Sequence, residues 1–249
     1  MRRIRAHYQD RTIWADVDDT TLHVCDMLGT RTGETVQLAE VTLLTPCTPR
    51  IIVCVGKNYA KHIQEMGGDD LPKEPGLFLK ALNTLSDADT PIPYPSWTDN
   101  LHYEGELAAV IGKTLSKVTE ADALGHVLGY TCAIDVTARD KQRSDLQWTR
   151  GKSADEFCPV GPWLETNLDP THLSVQTHIN GELKQDGNTQ DMIFSVAKVL
   201  SYISQFMTLT PGDLVLTGTP EGVGPLHVGD TIRVTVEGIG TLERHVAAG

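Results

Sequence analysis

The segment Leu101-His-Tyr-Glu-Gly-Glu-Leu-Ala-Ala-Val-Ile-Gly112 combines two acids with an apolar run of strand length. Because the apolar residues follow the acids directly, the pattern predicts a strand that enters the core. Residues i and i+2 of a strand share a face about 7 Å apart, so Glu104 and Glu106 are expected to project together. Two buried carboxylates repel each other strongly unless a positive charge lies between them. This segment therefore predicts a divalent-metal site inside a β-rich domain. The alternative is a chance pair of acids in an acidic chain, but exposed pairs do not usually run directly into an apolar strand.

A second strand-like run, Gly129-Tyr-Thr-Cys-Ala-Ile-Asp135, ends in an acid that could complete the site. Alternatively, Asp135 could cap a helix predicted over residues 137–142. Three carboxylates without a thiolate suit Mg²⁺ or Mn²⁺ before Ca²⁺, with Zn²⁺ last. His102 has the strand parity of Glu104. We expect it to support the ligands by hydrogen bonding, although ligation by its imidazole stays open.

The rest of the chain predicts an α+β, β-rich fold with peripheral helices. The prolines of Thr45–Arg50 indicate a linker, so we expect a small N-terminal unit over residues 1–48 and a catalytic domain over residues 49–249. The predicted strands include Ile13–Val17, Thr21–Cys25, Thr35–Leu38, Ile51–Val55 and a C-terminal hairpin, and the predicted helices include Asn58–Met66, Ser195–Met207 and one that begins near Thr119.

The composition excludes several classes of partner. The 249 residues include 21 Lys and Arg against 33 Asp and Glu, a formal charge of −12. Nucleic acids and anionic membranes both select clustered basic residues, so neither partner is expected. No run approaches the roughly 20 apolar residues of a membrane span. The five cysteines form no CxxC pair, as is typical of reduced thiols in a cytoplasmic protein. We therefore expect a cytoplasmic location.

Several polar residues could contact a substrate. His62 and Glu65, three residues apart on a predicted helix, could form a general base held by a carboxylate, or an ordinary surface pair. Arg139 and Gln142 have the same spacing and could bind substrate oxygens, or lie on an exposed helix face. Thr219 follows a predicted strand and could hold a substrate carboxylate, or simply form a turn.

Seven motifs occur in the order of one known family. They are Gly56-Lys-Asn-Tyr-Ala-Lys-His62-Ile-Gln-Glu65, His102-Tyr-Glu-Gly-Glu106, Ile134-Asp-Val-Thr-Ala-Arg-Asp140, Gly151-Lys-Ser153, Phe157-Cys-Pro-Val-Gly161, Asn180-Gly-Glu182 and Thr217-Gly-Thr-Pro-Glu-Gly-Val-Gly224. Over residues 51–246 the chain thus resembles the fumarylacetoacetate hydrolase family, above all its short members with one catalytic unit. The resemblance implies a mostly antiparallel, mixed β roll, a homodimer, and a divalent metal held by Glu104, Glu106 and Asp135.

The resemblance also implies roles for the remaining residues. It favours a catalytic His62–Glu65 pair over a surface pair. It makes Lys152 the candidate ammonium that stabilises an enolate, where by itself this residue would be taken as a surface lysine. The loop Gly67–Pro75 is predicted to close over bound substrate as a lid.

Members of that family cleave, decarboxylate or tautomerise 2-oxo acids. The expected function is therefore a metal-dependent hydrolase or lyase that breaks a C–C bond of a small anionic 2-oxo acid, such as an acylpyruvate or oxaloacetate, through a metal-bound enolate. An isomerase or decarboxylase of a 2-hydroxymuconate- or 2-hydroxyhepta-2,4-diene-1,7-dioate-type diacid in aromatic catabolism would need the same intermediate. A non-catalytic protein that binds a metal or a carboxylate is the alternative of another class. Lys73, Lys80 and Arg143 are left open as partners for a second substrate carboxylate.

Overall fold

The computed structural model describes all residues, 1–249, and strands dominate it. Short helices lie between the strands, which confirms the expected β-rich α+β class. None of these helices combines the length and the apolar character that a membrane crossing requires.

The elements follow one another along the chain with short connections. The strands are β1 (Arg2–Tyr8), β2 (Arg11–Asp18), β3 (Thr21–Cys25), β4 (Arg31–Gln37), β5 (Thr42–Leu44), β6 (Ile52–Gly56), β7 (Gly76–Lys80), β8 (Leu85–Ser86), β9 (Ile92–Tyr94), β10 (Leu101–Tyr103), β11 (Gly105–Ile111), β12 (Val127–Ile134), β13 (Thr137–Ala138), β14 (Cys158–Glu165), β15 (Ser174–Ile179), β16 (Glu182–Asn188), β17 (Leu214–Leu216), β18 (Gly224–Pro225), β19 (Thr231–Val236) and β20 (Gly240–Ala248). The α-helices are α1 (Ala60–Glu65), α2 (Glu120–Ala123), α3 (Arg139–Ser144), α4 (Thr149–Lys152) and α5 (Val196–Ser204), and 3-10 turns cover Leu38–Glu40, Leu82–Thr84, Leu124–His126 and Thr189–Asp191.

The strands form three sheets that are mostly antiparallel. The largest has 12 strands in the order β4-β3-β2-β1-β14-β12-β11-β17-β6-β7, with β5 beside β1 and β8 beside β14. A 3-stranded sheet has the order β13-β10-β18, and a 5-stranded sheet has the order β16-β15-β19-β20-β9. Only the pairs β17–β6, β14–β8 and β20–β9 are parallel. The two larger sheets are therefore mixed, as expected, and the 3-stranded sheet is wholly antiparallel.

The N-terminal strands have a core of their own. Residues of β1 to β4 form a separate apolar cluster that includes Ile4, Ile13 and Leu22. The same strands continue the largest sheet, because β1 pairs with β14. We retain the division into units 1–48 and 49–249 as a proposal.

Strand β11 lies at the centre of the main core, and all of its residues are buried. Leu107, Ala109 and Ile111 join the largest apolar cluster, whereas Ala108 and Val110 join a second cluster on the opposite face of the sheet. Complete burial of one such aliphatic side chain contributes about 1.5–3 kcal/mol. The strand that contains Glu106 is thus fixed on both faces.

The predicted helices are present but shorter. Helix α5 ends at Ser204, three residues before the predicted end, and the Ser195 hydroxyl caps it by accepting a hydrogen bond from the backbone N–H of Lys198 at 3.1 Å. Helix α1 begins at Ala60 rather than at residue 58. The helix predicted over residues 137–142 begins at Arg139, because Thr137 and Ala138 pair with β10 as a short strand.

Candidate active site and metal centre

Glu104 lies where the chain passes from one sheet to another. The sequence predicts a single strand through this residue, and that prediction is wrong: β10 ends at Tyr103 in the small sheet, and β11 begins at Gly105 in the largest sheet. The Glu104 carbonyl accepts a hydrogen bond from the backbone N–H of Asp135 at 2.8 Å, just after the end of β12. This backbone hydrogen bond therefore holds Glu104 and Asp135 next to each other at the point where the strand is interrupted.

The three predicted ligands, Glu104, Glu106 and Asp135, meet in space. Each offers a carboxylate oxygen, and these oxygens all lie within 4.8 Å of one another. All three residues are at most 5% exposed. The structure thus assembles the acidic cluster that the sequence predicts, although Glu104 is not part of a strand.

The electrostatics of two of these carboxylates differ. Burial and the neighbouring charges of Asp135 and Glu104 raise the pKa of Glu106 well above its usual range. The Gly218 backbone N–H donates to Glu106 Oε2 at 2.7 Å, and this hydrogen bond offsets the rise in pKa only in part. Burial would also raise the pKa of Glu104, but the charges of Lys152 and Arg139 outweigh it and hold this pKa below its usual range. Glu106 is therefore the carboxylate that lacks a compensating cation.

Lys152 is the principal cation of the cluster. Its ammonium donates to Glu104 Oε2 at 2.8 Å and to Asp135 Oδ2 at 2.7 Å, and the residue is 2% exposed. Burial would lower the pKa of this ammonium, but the two carboxylates outweigh burial and raise it. The structure thus excludes the surface-lysine alternative.

A second buried lysine lies behind Asp135, and it is one of the three cations predicted as possible partners for a second substrate carboxylate. Lys80 Nζ is 2.8 Å from Asp135 Oδ1, and it donates hydrogen bonds to the carbonyls of Val136, Lys152 and Phe157. This contact makes Lys80 unavailable to a second substrate carboxylate. Its position at the end of the apolar strand β7 is the sequence signal that could have indicated burial.

The cluster fits a hard divalent cation. All of its donors are carboxylate oxygens, the ligands that such ions prefer. Asp135 Oδ1 is buried and faces the Lys80 ammonium at 2.8 Å, but that ammonium already donates its hydrogen bonds to three backbone carbonyls, so the oxygen accepts none. Glu106 is buried without a cation of its own. A cation between these oxygens would satisfy both of them.

His62 and Glu65 form the predicted pair on α1. His62 Nδ1 lies 3.3 Å from Glu65 Oε2, with His62 buried and Glu65 partly exposed. The backbone N–H of Gly222 donates to Glu65 Oε1 at 3.0 Å, and the Tyr103 hydroxyl donates to the Gly222 carbonyl at 2.9 Å. Gly222 has φ of 93°, and a Cβ there would lie 2.0 Å from the Lys184 carbonyl oxygen. Only glycine can therefore occupy this position without moving the loop that supports Glu65.

Thr219 is engaged within the protein. Its hydroxyl donates to the Gly105 carbonyl at 2.9 Å and accepts from Gln185 Nε2 at 2.8 Å. Gln185 also accepts a hydrogen bond from the backbone N–H of Gly105 at 3.0 Å. This network ties the loop after β17 to the start of β11, and binding of a substrate carboxylate by Thr219 stays a prediction.

A cavity of about 170 Å³ brings the polar groups together. The predicted site residues that line it are His62, Glu104, Glu106, Arg139, Gln142, Lys152 and Thr219, whereas Asp135 and Glu65 do not line it. Arg139 is 2% exposed, so the exposed-face alternative for this residue is wrong. Its guanidinium donates to Glu104 Oε1 at 2.6 Å and to Gln142 Oε1 at 2.7 Å.

The cavity also has an apolar wall that the sequence does not predict. Phe78 and Trp148 pack edge to face with their ring centroids 5.3 Å apart, and Val55 and Met66 complete this side. These residues come from four separate segments of the chain, so no local pattern links them.

Family comparisons cover nearly the whole chain. A family model described as fumarylacetoacetate (FAA) hydrolase C-terminal matches residues 51–247. A second model, described as Rv2993c-like, N-terminal, matches residues 1–46.

Individual proteins resemble the chain at substantial identity. The mitochondrial oxaloacetate tautomerase FAHD1 of Bos taurus is 45% identical over 194 residues, which cover 76% of this chain and 87% of the relative. The crystal structure of a 5-carboxymethyl-2-hydroxymuconate delta-isomerase from Mycobacterium smegmatis superposes with a TM-score of 0.92 at 40% identity and covers 100% of both chains. A fumarylpyruvate hydrolase from Pseudomonas aeruginosa, in complex with Mn²⁺ and pyruvate, has a TM-score of 0.77 at 36% identity and covers 82% of this chain and 91% of its own.

Proposed function

This chain belongs to the fumarylacetoacetate hydrolase family of enzymes, and we propose that it moves a proton on a small 2-oxo acid to form and quench its enolate. One observation supports this proposal above the others. A single cavity of about 170 Å³ contains the buried carboxylates, the ammonium of Lys152 and the imidazole of His62. A base, a cation and an acidic cluster within one small cavity are the groups that enolate chemistry requires.

We propose that Glu104, Glu106 and Asp135 hold a divalent cation, with Mg²⁺ or Mn²⁺ preferred and Ca²⁺ also compatible with the all-oxygen donor set. When bound, such an ion supplies Lewis-acid polarisation of the 2-oxo group. The Mn²⁺ and pyruvate in the related fumarylpyruvate hydrolase support this assignment.

Other residues would bind and orient the substrate. Gln142 uses its side-chain oxygen to accept from Arg139, so its amide N–H groups remain free to donate to a substrate carboxylate. Thr219 is held at the cavity wall by Gln185 and Gly105 and would place its own backbone N–H toward the same carboxylate.

The proton transfer itself is assigned to His62. Its imidazole faces the cavity, and Glu65 holds Nδ1, which leaves Nε2 to take a proton from C3 of the substrate and return it. The Lys152 ammonium, which contacts both Glu104 and Asp135 and lines the cavity, would stabilise negative charge that develops on the substrate oxygen.

The bond that breaks to form the enolate decides which reaction results: a C–H bond in tautomerisation or isomerisation, and the C3–C4 bond in hydrolysis or decarboxylation. Reprotonation gives keto–enol tautomerisation, and we place this first, because a tautomerase is among the relatives at 45% identity. From the sequence alone, C–C cleavage is the first expectation. Cleavage of an acylpyruvate or decarboxylation of oxaloacetate remains the second candidate, since His62 could activate water and a hydrolase is among the similar structures. Isomerisation of a hydroxymuconate-type diacid uses the same proton transfer and is the third.

A small substrate panel tests this proposal. We expect oxaloacetate, acetylpyruvate or a 2-hydroxymuconate-type diacid to be converted with Mg²⁺ or Mn²⁺, and conversion to cease with EDTA and in Glu106→Ala. The product distinguishes tautomerisation, cleavage and isomerisation. Mn²⁺ binding without conversion of any compound would favour the non-catalytic alternative, and absence of Mn²⁺ binding would contradict the metal site.

We further propose a homodimer in the cytoplasm. Apolar residues are exposed around the sheet edge formed by β7, where Leu79 is 49% and Phe206 61% exposed. Paired edges of this kind are a common route to association. Sedimentation equilibrium should give twice the mass of 27.2 kDa, and a monomer mass would contradict the proposal.

A further inference from the structure

Two cations of the cavity have no acidic partner. Lys57 and Arg143 line the same cavity as Glu104 and Glu106, and neither forms an ion pair or a side-chain hydrogen bond. By contrast, the other two cations of the cavity wall, Arg139 and Lys152, are engaged by Glu104. In a protein with a net charge of −12, free cations on one cavity indicate that the ligand supplies the negative charge.

The positions of Arg139 and Arg143 distinguish the buried end of the cavity from its mouth. The two residues are four apart on α3, so they share a face about 6 Å apart along the helix. Arg139 is buried against Glu104, whereas Arg143 is exposed. Arg143 therefore lies at the mouth, one turn away from the acidic cluster.

An apolar surface completes the cavity wall. Phe78, Trp148, Val55 and Met66 contribute apolar surface to the same cavity. The cavity thus offers a site for a 2-oxo carboxylate, an apolar wall for a short carbon chain, and free cations at its mouth. This order of surfaces along the cavity fits a ligand with a carboxylate at each end, a diacid, rather than a monoacid.

We propose that Arg143, assisted by Lys57, binds the distal carboxylate of a 2-oxo dicarboxylic acid. This inference rests on the proposed function, in which the 2-oxo carboxylate end binds at the acidic cluster. It also resolves the choice that the sequence left open. Lys80 is buried behind Asp135, and Lys73 does not line the cavity. A guanidinium can bind a carboxylate with two parallel hydrogen bonds, so Arg143 is the main partner and Lys57 a point charge.

Pyruvate and oxaloacetate provide a matched pair of probes, because they share the 2-oxo carboxylate and differ by the distal carboxylate. The exchange of C3 protons with deuterated water, followed by NMR, reports enolisation of both compounds. We expect Arg143→Ala to lower the preference for oxaloacetate over pyruvate about tenfold, the effect of losing one charged hydrogen-bonding partner. Arg143→Lys should restore part of this preference, and Lys57→Ala should act in the same direction as Arg143→Ala.

Arg233→Ala is the charge-matched control, since Arg233 lies on β19 in another sheet and is not part of the cavity. It should leave the preference unchanged. Calorimetric titration of the Mn²⁺-loaded protein with both acids separates the two proposals. Tighter binding of oxaloacetate that depends on Arg143 supports the distal site even if nothing is enolised. Enolisation with an unaltered preference in Arg143→Ala overturns the distal site and leaves the proposed function standing.

Discussion

The ammonium nitrogen of Lys152 lies 2.8 Å from Oε2 of Glu104, and both side chains are almost wholly buried. The same nitrogen is 2.7 Å from Asp135 Oδ2. Lys152 thus places its positive charge between two of the three carboxylates that we propose to bind the metal. A divalent cation must share these oxygens with the ammonium. Replacement of Lys152 should therefore change both the stability of the fold and the affinity for the metal.

Lys152→Met should destabilise the metal-free protein by about 3 kcal/mol, because it leaves buried carboxylates without their cation. Saturating Mn²⁺ should recover much of this loss, since the ion supplies the missing charge. Urea unfolding with and without Mn²⁺ measures both effects. Lys198→Met, at a lysine 51% exposed on α5, is the control and should change little. An equal loss with and without Mn²⁺ would show that Lys152 and the metal are independent.

Glu106→Gln should change the stability of the metal-free fold and the affinity for Mn²⁺ in opposite directions. Burial and like charges raise the pKa of Glu106, so a neutral isostere removes a repulsion and should stabilise the metal-free fold by about 1 kcal/mol. The same change removes a ligand and should weaken Mn²⁺ binding at least about a hundredfold. Calorimetry and thermal unfolding test the two effects. Glu182→Gln, at a side chain 73% exposed, serves as the control. Retained Mn²⁺ affinity would remove Glu106 from the ligand set.

Mn²⁺ affinity should rise with pH. The folded-state pKa of Glu106 is raised, so its contribution to stability is present below the unfolded pKa of about 4.3 and is lost as pH rises through the folded value. Mn²⁺ competes with that proton, and the logarithm of its binding constant should increase by up to about 1 per pH unit below the folded pKa. Titrations between pH 5 and 8 measure this slope. A constant affinity over this range would mean that Glu106 is already ionised in the fold.

The His62–Glu65 pair should affect turnover without affecting the metal. His62→Gln removes the base and should lower kcat about 10²- to 10⁴-fold, whereas Glu65→Gln, which perturbs only its orientation, should cost less. Mn²⁺ affinity should be unchanged in both, because neither residue belongs to the acidic cluster. Tyr103→Phe tests the support from Gly222 and should lower kcat less than Glu65→Gln. A parallel loss of Mn²⁺ binding in His62→Gln would contradict this division of roles.

The loop Gly67–Pro75 should become protected when the site is filled. It has no helix or strand, and it follows Met66, which lines the cavity. Trypsin cleavage after Lys73 should slow with Mn²⁺ and oxalate, as expected for a lid that orders over a ligand. Cleavage after the exposed Arg31, in the N-terminal strands, reports any general stabilisation. Equal cutting at Lys73 with and without the ligand would leave the loop without a gating role.

Much of this protein could be predicted from patterns within short segments. The apolar run after Glu106 predicts a buried strand, and β11 is buried on both faces. The spacing of His62 and Glu65 predicts a pair on one helix face, and their side chains lie 3.3 Å apart. Backbone periodicity alone determines such neighbours, so a single segment contains the information.

Only the tertiary structure decided how the charges of the site are compensated. Lys152 is 48 residues from Glu104 in sequence, and Gly218 is 112 residues from Glu106. The order of strands in the sheets sets these contacts, and no local pattern encodes that order. The same is true of the choice among the candidate cations for a second substrate carboxylate: Lys80 is buried and paired with Asp135, whereas Arg143 lines the cavity. The sequence by itself determined which residue types could act, and long-range packing decided which of them face the same space, because burial and pairing depend on neighbours far apart along the chain.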